Sequence, residues 1–199
     1  MLGWIAVVLG VASTYIQLRR VAQLGIEGVS LATWILFAYM ACFWIIYGVV
    51  ARSWVVIMGS LLALPLQIPI VVRLSPLRNW RTSLYAFVFF ALCCVAPTIF
   101  AGWSAGVYGT GIVMAVTRGP QTIKLIRQRH ANGVSTVTWL MGTVASVLWV
   151  IYYYVDTHLW AALEVTVVGG LANLTIALLA RWRHLQAQRD MVAKEVFVA

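Results

Sequence analysis

Long runs of apolar residues, separated by short polar stretches, make up nearly the whole chain. We distinguish seven such segments, at about 2–17, 31–50, 54–73, 82–101, 104–120, 136–155 and 158–180. A helix needs about 20 residues to cross the hydrocarbon core of a bilayer, and backbone groups in lipid must find their partners within the helix. The pattern therefore predicts an all-α membrane protein with seven transmembrane helices.

Composition supports the same class of protein. The chain is 63% hydrophobic and only 10% charged, and its mean hydropathy is +0.93. A soluble domain of this length does not need so much apolar surface. The net charge of +9 comes from basic residues between the apolar segments, a pattern typical of topology signals and of contact with anionic lipid headgroups. We therefore expect membrane lipid, and not nucleic acid, as the partner of this charge.

The basic residues also predict an orientation. All of the 14 Lys and Arg residues except Arg52 fall on one side of the seven segments, a count that assigns Arg118 to the cytosolic end of the fifth segment. Short loops rich in Lys and Arg stay in the cytosol. We therefore expect the N-terminus outside and the C-terminus in the cytosol of a multi-pass protein of the plasma membrane.

A short motif occurs twice in the chain. Residues 28–34 have the sequence GVSLATW, and residues 133–139 have the sequence GVSTVTW. The serines in these copies, Ser30 and Ser135, are good N-caps for the helices that follow. A duplicated block in a membrane chain is typical of two half-units packed about a pseudo-symmetry axis, with a substrate site between them. Each copy has matching neighbours at similar spacing: Gln17 and Gln121 before it, then Trp44 and Trp149, and then Tyr47 and Tyr152.

The repeat predicts a 3+1+3 arrangement. Residues 1–75 would form one three-helix repeat, 76–102 a linker helix, 103–182 a second three-helix repeat and 183–199 a cytosolic tail. Because one linker helix separates the copies, both have the same orientation. We expect parallel repeats related by an axis along the membrane normal.

The motif residues resemble a known family. Pro120-Gln121, Lys124, Gly133-Val134-Ser135, Trp139, Trp149 and Tyr152 are similar to the PQ-loop signature of the SWEET and SemiSWEET sugar transporters, whose relatives include cystinosin-type amino-acid carriers. The resemblance implies a transporter that works by alternating access, facilitative or ion-coupled. The first copy departs from the signature, because Ile16 replaces the proline before Gln17.

The resemblance implies a substrate pocket lined by Trp44 and Trp149, although tryptophan at such a position is also typical of the aromatic belt at a membrane surface. In the family an asparagine in the third helix of each repeat contacts substrate. At that position this chain has Gly59 or Ser60 in one copy and Glu164 or Val165 in the other. Two further candidate substrate residues, Gln67 and Asn173, correspond to each other deeper in these helices, where they could also serve only as contacts between helices.

Two sets of residues are candidate gates. The inner gate or hinge would consist of Gln17, Pro120 and Gln121, since proline disturbs a helix and glutamine can meet the freed carbonyl groups. Alternatively, Pro120 simply ends its helix. The outer gate would consist of Tyr47 and Tyr152 with Arg52 and Asp156, which occupy corresponding outer loops and could pair, or could remain two solvated charges.

Glu164 is the only acidic residue within a predicted span. An ionisable group at that depth is costly and usually functional, so it could bind a cationic substrate or carry a coupling proton. Alternatively, it lies near enough to the outer surface to reach water or Arg52.

These observations predict a membrane transporter for a small polar solute, with sugar favoured. The first alternative is a proton-coupled amino-acid transporter of the cystinosin-like branch, which would place the chain in a lysosome-like organelle membrane. A further alternative is a seven-helix receptor for a ligand or cargo. We expect no enzyme activity, metal or cofactor, because the sequence offers no paired carboxylates, nucleophile–base pair or metal-ligand spacing. The many small residues in the spans would permit a homo-oligomer.

Overall fold

The computed structural model describes residues 1–27, 29–75, 80–127 and 133–198. Gly28 of the repeated motif and the predicted domain border at residue 76 lie outside the described residues. Within the described ranges the chain is entirely helical, without strands. The helices are α1 (Leu2–Leu24), α2 (Leu31–Val50), α3 (Trp54–Leu74), α4 (Trp80–Ala101), α5 (Trp103–Arg127), α6 (Thr136–Thr157) and α7 (Trp160–Val198).

Six of these helices are long and apolar enough to cross a bilayer, counted over the described part of the chain. The exception is α5, in which glycines, threonines and Arg118 lower the mean hydropathy. Large apolar side chains also lie on the outer surface, including Tyr85, Ile99 and Phe100 on α4. Exposed apolar surface of this extent needs lipid rather than water around it. The prediction of a helical protein embedded in a membrane is confirmed at this level.

Three helices continue beyond the predicted apolar segments. α1 continues past residue 17 to Leu24, α5 continues past residue 120 to Arg127, and the last helix continues past residue 180 to Val198. Pro120 therefore lies inside α5, and the alternative in which it ends the helix is excluded. The difference has a simple physical cause. Hydropathy marks the part of a helix that prefers lipid, whereas a helix extends into water as long as its backbone hydrogen bonds continue.

Serine caps begin three of the helices. Ser30 Oγ accepts a hydrogen bond from the backbone N–H of Thr33 at 3.4 Å, and Ser135 Oγ accepts one from Thr138 N–H at 3.1 Å. The predicted caps of both motif copies are thus confirmed. Ser53 caps α3 in the same way.

We group the helices by chain order into a first set, α1–α3, and a second set, α5–α7. In the first set, α3 lies against both α1 and α2; in the second set, α7 lies against both α5 and α6. α1 packs against α6, and α2 packs against α5, so each set contacts the other through two helix pairs. α4 packs against α2 and α5. Between the two sets lies the space that forms the candidate site.

Glycines allow α5 to approach α4 closely. A Cβ atom at Gly109 would overlap the backbone carbonyl of Cys93, and one at Gly106 would overlap the Thr98 side chain. Cys93 lies in a π-helical turn, Ala91–Val95, in the middle of α4. A larger residue at Gly109 would therefore separate the two helices, because its neighbour is backbone that cannot rotate away.

Candidate functional site

A cavity with two adjoining lobes lies between the two sets of helices. The amide lobe, which contains Gln67 and Asn173, has a volume of about 240 Å³. The tyrosine lobe, which contains Tyr153, has a volume of about 260 Å³. Sites for drug-sized ligands usually measure about 300–1,000 Å³, so each lobe suits a small solute. Both lobes share one set of wall residues: Thr14, Trp44, Gly59, Ser60, Ala63, Met114 and Arg118.

Five of the six predicted substrate residues line this cavity. Trp44 and Ser60 line both lobes, and Trp149 lines the tyrosine lobe, where its ring packs against the backbone position of Gly59. Gln67 and Asn173 line the amide lobe. The sixth, Glu164, is exposed on the surface of α7 and lines neither lobe. The structure therefore does not place Glu164 in the cavity, because its side of α7 faces away from it.

Arg118 is a wall residue that the sequence analysis missed. It was assigned to the cytosolic end of the fifth segment, but only 7% of its surface is exposed and it lines both lobes. Its Nε donates a hydrogen bond to Asn173 Oδ1 at 2.8 Å, and its Nη1 donates one to the Met114 carbonyl at 2.9 Å. Its guanidinium also lies 5.1 Å from the centre of the Phe37 ring. The sequence did offer a signal: Lys124 and Arg127 lie farther along α5, so basic residues that could mark the cytosolic end of the span also occur after Arg118.

The charge of Arg118 is not balanced by any acidic side chain described here. Neither lobe is lined by Asp or Glu, and Arg118 forms no ion pair within the described ranges. A buried charge is costly unless it is paired or fully hydrogen-bonded. The cavity therefore presents a positive group with unused hydrogen-bonding capacity.

Two other polar atoms of the amide lobe are buried without a partner. Gln67 Oε1 and Thr138 Oγ1 make no hydrogen bond in the described part of the chain. Gln67 is 9% exposed and Thr138 is 7% exposed. Most buried polar groups in proteins are hydrogen-bonded, so their location in one lobe beside Arg118 needs an explanation.

The predicted inner-gate glutamines connect the two sets of helices at the end that carries the repeated motif. Gln17 Nε2 donates to the Gly133 carbonyl at 2.7 Å, and Gln17 Oε1 accepts from Ser135 N–H at 3.2 Å. In the reverse direction, Gln121 Oε1 accepts from Ser30 N–H at 2.9 Å. Each glutamine is 1% exposed. We call this reciprocal pair of contacts, Gln17 with 133–135 and Gln121 with Ser30, the glutamine latch.

Further bonds strengthen the same end. Lys124 Nζ donates to the Val29 carbonyl at 2.7 Å, and Gly133 N–H donates to the Glu27 carbonyl at 3.1 Å. A Cβ atom at Gly133 would lie 2.6 Å from that carbonyl oxygen, so the two motif copies approach each other backbone to backbone. These bonds join the two motif copies directly at this end.

The opposite end is joined by tyrosine rather than by the predicted charged pair. The hydroxyl groups of Tyr152 and Ser53 share a hydrogen bond of 3.1 Å, which links α6 to the start of α3. Tyr47 is buried against the rings of Trp44 and Trp103, with centroids 5.5 and 6.2 Å away. The remaining predicted residues, Arg52 and Asp156, are both exposed and form no ion pair among the residues described.

The polar groups on the cavity wall are hydroxyl, amide and guanidinium groups. No cluster of three His, Cys, Asp or Glu side chains that could hold a metal occurs in the described ranges.

Comparison of the chain with protein-family models, with curated proteins and with solved structures gave no match. The function is therefore inferred from the geometry and from the sequence motifs.

Proposed function

We propose that this chain is a membrane transporter that moves a small polar solute by alternating access. The observation that carries the proposal is a solute-sized cavity between two sets of three helices, with hydrogen bonds joining the sets at both ends of the bundle. In this proposal the sets are the two parallel repeats of a 3+1+3 transporter of the SWEET or PQ-loop type, and α4 is the linker helix. The N-terminus lies outside the plasma membrane and the C-terminus in the cytosol; the asymmetry of basic residues that supports this persists without Arg118.

The two closures differ in a way that suits alternation. Opening the cytosolic end breaks the glutamine latch, whereas opening the outer end breaks the bond between Tyr152 and Ser53. Each such hydrogen bond contributes a net stabilisation of about 0.5–1.5 kcal/mol. The differences between the conformations are then a few kcal/mol, which is the range in which a bound solute shifts a population.

The solute class has two candidates. The resemblance favours a sugar, and the cystinosin-like alternative is a proton-coupled amino acid. Glu164, the residue that suggested proton coupling, is exposed outside the cavity, whereas Arg118 lies inside it. Arg118 therefore shifts the preference within the small polar solutes toward those that carry a negative group.

A cysteine placed in the cavity tests alternating access without knowledge of the solute. Ser60 lines both lobes, so Ser60→Cys, in a background with Cys42, Cys93 and Cys94 replaced by alanine, reports access from either side. We expect a membrane-impermeant maleimide to label it in both right-side-out and inside-out vesicles. Leu61→Cys is the matched control, because Leu61 is the next residue and faces outward from the bundle.

A receptor or a fixed channel gives different results. Labelling from one face only, in the parent and in variants of both closures, would contradict alternating access and favour a receptor. Simultaneous labelling from both faces with passage of the reagent through the protein would indicate an open pore instead. Weak labelling of Leu61→Cys in the same vesicles shows that the signal reports the cavity and not reagent partitioned into lipid.

A further inference from the structure

We propose that the solute is a small carboxylate that also carries a hydroxyl or amino group, and that Arg118 binds its carboxylate while Gln67 and Thr138 bind the second group. This inference rests on the proposed transport function, because it names the solute of the same cavity. It differs from the sugar expected from the motifs, since a neutral sugar would leave the positive charge without a counterion.

Arg118 has N–H donors that the protein does not use. A guanidinium has five N–H donors in a planar fork. In the described structure Nε donates to Asn173 and Nη1 donates to Met114, which leaves Nη2 without a protein partner. The remaining donors suit a carboxylate, which arginine binds through two parallel hydrogen bonds.

The tyrosine lobe lies beside this Nη2 atom. Nη2 lies 3.7 Å from the position that a Cβ atom would occupy at Gly169, and Gly169 lines the tyrosine lobe. Because α7 carries no side chain at this point, the cavity reaches the guanidinium directly. Met114 Sδ lies 3.0 Å from the same position, so a carboxylate that approaches Nη2 from this lobe needs only that flexible side chain to move.

Two buried polar atoms of the amide lobe favour a solute with a second polar group. Gln67 Oε1 and Thr138 Oγ1 line the amide lobe with Arg118, and both are buried without a hydrogen-bond partner in the described chain. An amide oxygen accepts only, whereas a hydroxyl group both donates and accepts. A hydroxyl or amino group on the solute supplies the donor that Gln67 lacks. A simple carboxylate such as propionate would leave these atoms unsatisfied.

A purely structural arginine would be expected to differ in two respects. Basic residues inside membrane helices usually pair with an acidic residue or extend to the lipid headgroups. Arg118 does neither, because it is buried between α5 and α7 and no described acid lines its surroundings. The bond to Asn173 orients the guanidinium but does not neutralise it.

The test uses matched pairs of solutes with purified protein in vesicles. The probes are lactate against propane-1,2-diol, serine against serinamide, and gluconate against glucose; each pair differs chiefly by the carboxylate. The readout is protection of Ser60→Cys from maleimide, together with counterflow of the labelled probe. We expect a carboxylate member to protect and to exchange, and the partner without the carboxylate to do neither.

Variants separate binding from folding. Arg118→Gln is expected to weaken the carboxylate response at least about tenfold, because it removes charge-assisted hydrogen bonds. Arg127→Gln removes the same charge from an exposed position on α5 outside both lobes, and it should leave the response unchanged. Gln67→Leu should reduce the preference for lactate over propionate while retaining propionate binding. Two-sided labelling of Ser60→Cys in each variant shows that the protein is still folded and alternating.

The outcomes are distinguishable. Protection by glucose without gluconate, or a carboxylate response that survives Arg118→Gln, overturns the assignment. No response to any carboxylate while two-sided labelling persists also overturns it, and it leaves the transport proposal standing. One-sided labelling of the parent protein and of the variants of both closures contradicts the transport proposal itself, whatever the probes do.

Discussion

The two halves of the cavity are alike in their glutamine contacts but differ in the polar groups on the cavity wall. Counted from the two glutamines of the latch, Thr14 in α1 corresponds to Arg118 in α5, three residues before each glutamine. Thr14 and Arg118 each line the amide lobe and the tyrosine lobe. One half thus presents a neutral hydroxyl group where the other presents a cation, although the latch is reciprocal. The two halves are thus alike in the glutamine latch, whereas of these two matched positions only Arg118 places a cation on the cavity wall.

The amides show the same division. Asn173 and Gln67 correspond in the two third helices, each thirteen residues after a tryptophan. Asn173 Oδ1 accepts the bond from Arg118, whereas Gln67 Oε1 has no described partner. The threonines of the motif differ likewise, since Thr33 Oγ1 donates to the Thr117 carbonyl at 2.7 Å while Thr138 Oγ1 is unpaired. Gln67 and Thr138 both line the amide lobe, so this difference between the halves lies at the candidate site.

Moving the charge from one half to the other is expected to have the largest effect. Arg118→Thr makes the two positions alike, and we expect it to abolish carboxylate counterflow to within background. Adding Thr14→Arg restores a cation beside the cavity, now on the side of Gln67. We expect partial recovery of carboxylate counterflow in this double variant, because the charge returns but the bond to Asn173 does not.

One result would contradict the comparison, and a second would sharpen it. If Arg118→Thr alone transports carboxylate as well as the parent, the asymmetry has no role in solute choice. If the double variant fails while two-sided labelling of Ser60→Cys persists, the position of the charge matters as much as its presence. Thr14→Arg in the presence of Arg118 is a useful third measurement, since two cations in one cavity should favour a dicarboxylate such as malate.

The latch should respond equally in both halves. Gln17→Ala and Gln121→Ala each remove buried hydrogen bonds that join the two sets of helices. With about 0.5–1.5 kcal/mol per bond, each variant should raise the cytosolic labelling rate of Ser60→Cys several-fold, and the double variant should raise it further. A large effect from one glutamine with none from the other would show that the reciprocal geometry is not a functional symmetry.

Much of this geometry was predictable from sequence, and the exceptions have physical causes. The motif repeat predicted that Gln17 and Gln121 act together. The family resemblance suggested Trp44 and Ser60 as pocket residues, and spacing from a tryptophan related Asn173 to Gln67. Arg118 was misassigned because hydropathy treats an arginine near the edge of an apolar run as the end of a span. Its location depends on the tertiary contact with Asn173, which has no local signal. Glu164 was misassigned because successive helix positions differ by about 100°, so a shift of one residue changes the face.

The contacts at the outer end should have a smaller effect on the labelling of Ser60→Cys, and the two tyrosines there can be compared with each other. Tyr152→Phe removes the single hydroxyl bond to Ser53, which we expect to raise labelling of Ser60→Cys from the outside by no more than about tenfold. Tyr47→Phe is the corresponding change in the first half. Its ring packs against Trp44 and Trp103, and its hydroxyl has no hydrogen bond among the described residues, so the effect should be smaller. Equal effects would mean that ring packing, rather than the hydroxyl bond, holds this end closed.

The smallest effects are expected from the three charged residues that the sequence placed at the site. Arg52, Asp156 and Glu164 are exposed and line neither lobe. An exposed ion pair is worth only about 0–1 kcal/mol even when it forms. We therefore expect Arg52→Ala, Asp156→Ala and Glu164→Gln to leave counterflow and two-sided labelling close to those of the parent. Loss of pH dependence in Glu164→Gln would reverse this expectation, because it would show that a residue outside the cavity carries a coupling proton. That result would make the outward-facing side of α7, and not the asymmetry around Arg118, the source of ion coupling.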